Sequence, residues 1–98
     1  MIQWDYPPRC LSPHVSPSRS HCESLTWNAP PREEEESRPV RWTCDCTPIS
    51  YELCQEGDRM FIRRTERRQG RRLVVESDRW PAPEASGMWN ALLGGLVR

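Results

Sequence analysis

Lysine is absent from this chain; all fourteen of its basic residues are arginine. Chemistry that needs a primary amine on a flexible stem, such as Schiff-base formation or a lysine–phosphate contact, is therefore excluded. Long aliphatics are also scarce. Ile, Leu, Val and Phe total sixteen among 98 residues, below the roughly 20% expected of a good core builder. Five tryptophans, two tyrosines and three methionines offset part of that deficit, but this arithmetic argues against a large enzyme core. No run approaches the ~18 apolar residues of a membrane span. The nearest candidate, GMWNALLGGLV, is short and is interrupted by Asn90 and three glycines. A secretory leader would need a basic start followed by an unbroken apolar run, whereas MIQWDYPPRCLSP has Asp5 as its first charged side chain and is broken by proline. The expectation is a cytoplasmic protein with no membrane contact. The formal net charge is zero, which excludes a histone-like polycation.

Five cysteines leave an odd one. A secreted disulfide scaffold normally carries an even number, so thiols or metal ligands are the default reading.

Composition divides the chain at residue 39. Residues 1–39 hold seven of the ten prolines, the tract SPHVSPSRSH and the acidic run Glu33–Glu36, with six acids against four arginines. Proline removes backbone donors and adjacent glutamates repel one another. This segment reads as a Pro/Ser-rich, largely irregular acidic arm. Trp4, Tyr6, Leu25 and Trp27 are unusual in a plain linker, and one of these pairs would dock on the domain or on a partner. Residues 40–98 carry ten arginines against eight acids and read as the folded domain.

The runs PVRWTCDC, ISYELC, RMFIRRT and RRLVVES are strand length, and the segments between them carry turn chemistry. Directly opposed residues in a hairpin share a face. Turns centred at Thr47–Pro48, Glu56–Gly57 and Arg67–Arg68 give one apolar face: Trp42, Cys44, Tyr51, Leu53, Met60, Ile62, Leu73 and Val75. In PEASGMWNALLGG, residues Ala85, Met88, Trp89 and Leu92 form one helical stripe. Pro83 suits the first turn, and Gly94–Gly95 suits the stop. The expected fold is α+β: a small antiparallel four-stranded β-meander with a C-terminal α-helix packed on one face.

The opposite face would present Phe61, Val74 and Cys54 among polar residues, beside the densest positive charge. Eight arginines lie between Arg59 and Arg79 against three acids. This register sets Arg63 opposite Arg72 and Arg64 opposite Arg71, with Arg67 and Arg68 at the loop tip. Phe61, Arg63, Arg67, Arg68, Arg72 and Val74 are therefore the expected partner-binding residues. Arginine forks and an aromatic suit either acidic protein surfaces or nucleic acid, and Glu33–Glu36 of the same chain could clamp the arginines. One aromatic platform and zero net charge favour protein.

The expected function is a small, non-enzymatic protein-binding or accessory/regulatory protein. Its partner would have an acidic and apolar surface, with a homodimer as one form of that contact. The alternative is a nucleic-acid-binding module, with or without a structural zinc. No cofactor and no metal are expected. The thiols of Cys44 and Cys46 with His21 or Cys22 are the residues from which a mixed zinc site would be drawn, and Cys10, His14, His21 and Cys22 form no standard ligand spacing. No Ser-His-Asp order, phosphate loop or H-E-x-x-H is present, so no catalytic residue is expected.

Overall fold

The computed structural model describes residues 12–31 and 37–98. Five strands precede one helix: β1 (Arg38–Trp42), β2 (Ile49–Glu56), β3 (Arg59–Arg68), β4 (Arg71–Glu76), β5 (Trp80–Pro81) and α1 (Ala82–Leu93). β1 to β4 form an antiparallel meander in chain order, and β5 pairs with β3 beyond the end of β4. The helix packs on one face. The expected four-stranded sheet with its C-terminal helical lid is the fold observed.

Turn chemistry sets the register, and it differs from the expected centres. The second hairpin turns at Gly57–Asp58, with positive φ at Gly57 only, as in a II′ turn. Leu53 consequently faces Ile62 instead of Met60. The third turns at Gln69–Gly70, both with positive φ, the requirement of a I′ turn. Arg67 and Arg68 are therefore the last residues of β3, facing Arg72 and Arg71, and Arg63 faces Glu76. These displacements are by even numbers of residues, so each side chain keeps its expected face. Leu73, however, moves opposite Glu66 and is 56% exposed.

The first hairpin slips by one residue, which exchanges faces. Trp42 pairs with Glu52 and Arg41 with Leu53, after an irregularity at Pro39–Arg41. The cause lies in the 43–48 loop. Thr43 N–H donates to the Tyr51 carbonyl, and Thr43 Oγ1 accepts the Tyr51 N–H at 3.0 Å. Thr43 thus takes the buried place opposite Tyr51. Trp42, expected in the core, stands half-exposed on the face away from the helix.

A second irregularity lies between β4 and β5. Ser77 N–H donates to the Ile62 carbonyl, while Ile62 N–H donates to Ser77 Oγ at 2.9 Å. A side-chain oxygen replaces the backbone acceptor that the bulge displaces, so a buried donor is satisfied.

α1 begins with Pro83 in its first turn and buries Ala85, Trp89 and Leu92. It ends in a Schellman motif: Gly95 N–H donates to Leu92 O, Leu96 N–H donates to Ala91 O, and Gly95 has φ +81°. The arm then closes this end. Ser16 N–H donates to Leu93 O, Arg19 N–H to Gly95 O and Glu23 N–H to Leu96 O. Trp27 Nε1 donates to Arg98 O at 2.7 Å, and Asn28 exchanges both backbone bonds with Glu76. Val15, Leu25 and Trp27 pack against the cluster of Tyr51, Leu53, Ile62, Trp89 and Leu92. The expected docking of Leu25 and Trp27 thus occurs, whereas Trp4 and Tyr6 lie outside the described residues.

Candidate functional site

The face of the sheet away from the helix carries its own cover. Phe61 and Cys54, adjacent on β3 and β2, are 1% and 0% exposed. The Arg79 guanidinium lies 3.9 Å from the Phe61 ring centroid and that of Arg63 lies 5.6 Å away, both within cation–π range. Carboxylates hold these arginines in place. Arg79 donates to Glu56 at 2.9 Å and to Glu76 at 3.0 Å. Arg63 donates to Glu52, Glu76 and the Ser37 hydroxyl at 3.2–3.4 Å. Glu76 is buried and shared by both arginines. Desolvation works against the Arg79 charge, but its hydrogen bonds to Glu56 and Glu76 outweigh that and raise its pKa. Burial pushes the Cys54 thiol up to about 11.

Two of the residues expected at the contact surface are thus engaged within the chain: Phe61 is buried, and Arg63 roofs it. Arg67 is engaged as well. Its guanidinium donates to the carbonyls of Asp45 and Thr47, both at 2.9 Å, and to the Ser50 hydroxyl. Arg68 pairs with Glu66, which Arg64 also approaches from the other side. Val74 is half-buried opposite Thr65. Arg72 is exposed, and among the described residues it makes no ion pair.

The register slip in β1 creates the open part of this face. Trp42, 51% exposed, stands on one wall of a groove of about 650 Å³, with Arg67 and Arg72 on the other. Glu52, Ser50 and Thr65 line the groove between them, and the loop Cys44–Cys46 closes one end. The hairpin end, Arg68 to Leu73, projects beside it. This arrangement offers an indole face, an uncommitted guanidinium and several hydroxyls to an extended ligand. Sequence reasoning missed Trp42 because a one-residue error in parity sends a tryptophan to the wrong face. It gave Arg79 no role because the partners of that residue, Glu56 and Phe61, come from other strands.

The mixed set of metal-ligating candidates is also rearranged. His21 and Cys22 lie in the turn after Arg19, where Cys22 N–H donates to Arg19 O. Cys44 and Cys46 are instead brought to His14. Cys10 and the acidic run Glu33–Glu36 lie outside the described residues. No helix among the described residues is long and apolar enough to cross a membrane. No family model, no curated protein and no solved structure matches the chain.

Proposed function

We propose that this chain is a small protein-binding accessory domain that receives an acidic, extended segment across the Trp42–Arg72 groove. The observation that carries this reading is the pairing of a half-exposed indole with an exposed arginine across one groove, at the end of the sheet not sealed by Arg63 and Arg79. Aromatic and arginine side chains are the residue types that most often dominate contact energies. An acidic segment meets Arg72, while its apolar side chains lie on Trp42. Nucleic acid is the second reading, favoured by the same indole and guanidinium. Among the described residues Trp42 is the single exposed aromatic, which gives bases one stacking platform, and the zero net charge weakens the long-range pull on a long polyanion.

The test is fluorescence anisotropy with a labelled Glu/Asp-rich peptide and, separately, a labelled single-stranded oligothymidylate. Arg72→Glu and Trp42→Ala should each weaken peptide binding roughly tenfold or more while leaving the thermal midpoint close to wild type. Preference for the oligonucleotide, with affinity falling steeply as salt rises, would move the assignment to the second reading. Equal binding by both variants would remove the groove from the account.

A further inference from the structure

We propose that His14, Cys44 and Cys46 bind a zinc ion that fastens the N-terminal arm to the sheet. The ligand atoms of these three residues all lie within 4.8 Å of one another, and Cys46 Sγ is 3.4 Å from His14 Nε2. Zn–S and Zn–N bonds of about 2.3 and 2.0 Å in a tetrahedron set ligand edges of roughly 3.5–3.8 Å. The observed group therefore reaches that geometry by small side-chain rotations. Two sulfurs and one imidazole are a donor set that suits zinc over hard cations such as magnesium or calcium. Two thiolates and a neutral imidazole cancel the charge of the ion.

The backbone around the cluster is fixed from three sides. Cys44 N–H donates to Pro13 O at 2.9 Å, which lays the arm beside the loop. Arg67 holds the carbonyls of Asp45 and Thr47, the residues on either side of Cys46. Ser16 N–H donates to Leu93 O, anchoring the arm two residues beyond His14. His14 and Cys46 are exposed and Cys44 is half-buried, so an ion has a direct path in. The ligands come from segments thirty residues apart, and binding therefore adds a cross-link between arm and sheet.

This inference is independent of the peptide-binding reading. The full chain, refolded without metal, is titrated with cobalt(II) as an optical stand-in for zinc, and zinc is then added as competitor. Wild type should give a thiolate-to-cobalt charge-transfer band that saturates at one ion per chain and is bleached by zinc. Cys46→Ser and His14→Ala should lose the saturating band, whereas Cys54→Ser and His21→Ala should keep it. Zinc should also protect wild type, but not His14→Ala, from tryptic cleavage at Arg19. A wild type that gives no saturable band, or a His14→Ala chain that keeps it, would overturn the site.

Discussion

Single residues on the sealed face carry chemistry that sequence position conceals. Cys54 is buried on β2 against Phe61, and burial raises its thiol from about 9 to about 11. The folded pKa is the higher one, so its contribution to stability is complete below about pH 9. That contribution is lost as pH rises through 11, because the unfolded thiol ionises first. The loss across that window is roughly 2–3 kcal/mol. Denaturant midpoints measured between these pH values should fall more in wild type than in Cys54→Ala, and parallel curves would show that the thiol is not the cause. Arg63 illustrates a related point. Its place on the outer face beside Phe61 is the one expected, but facing Glu76 and Glu52 it forms part of the roof over that ring. A charge reversal there would expose a buried carboxylate to a like charge and damage the domain, whereas Arg72→Glu leaves the fold alone.

Among the elements, strands and helix were legible from alternation and from the Ala85–Trp89–Leu92 stripe. Their register was not. The turns formed where glycine supplies positive φ, at Gly57 and Gly70, and not at the centres of polar runs. The even displacements that resulted preserved the faces of β2, β3 and β4. β1 was lost because Thr43 bonds back to Tyr51, and hydropathy alternation carries no signal for that. The docking points of the arm carry no such signal either: Ser16, Arg19 and Glu23 dock through backbone bonds to the helix end. Gly95 is where these two elements meet. It has φ +81°, and a Cβ there would collide with the Pro17 carbonyl. Gly95→Ala should release the arm and speed tryptic cleavage at Arg19 relative to wild type. Gly87→Ala, with open space around it, should leave Arg19 protected and stabilise the helix by about 1 kcal/mol or less. Equal protection in Gly95→Ala would mean that the arm is held elsewhere.

On the scale of the whole molecule, the sheet is covered on one face by α1 and the arm and on the other by its own arginines. Among the described residues, the aromatic left in solvent on the second face is Trp42. The groove proposed for binding lies at the end where the 43–48 loop, Trp42 and the β3–β4 hairpin converge. Of the residues expected at a contact surface from the arginine-rich hairpin, Arg67 and Arg72 line this groove, whereas Arg68 projects from the other face against Glu66. Phe61 was not separable from it, because burial of one phenylalanine depends on guanidinium groups from two distant positions.

The most direct test follows the tryptophan indole N–H signals by nuclear magnetic resonance as an acidic peptide is added to the full chain. The account predicts that the Trp42 signal moves in a saturable way while those of Trp27, Trp80 and Trp89 hold still. A Trp42 signal that stays in place, or that moves no more than those of Trp27, Trp80 and Trp89 as the peptide saturates, would contradict it.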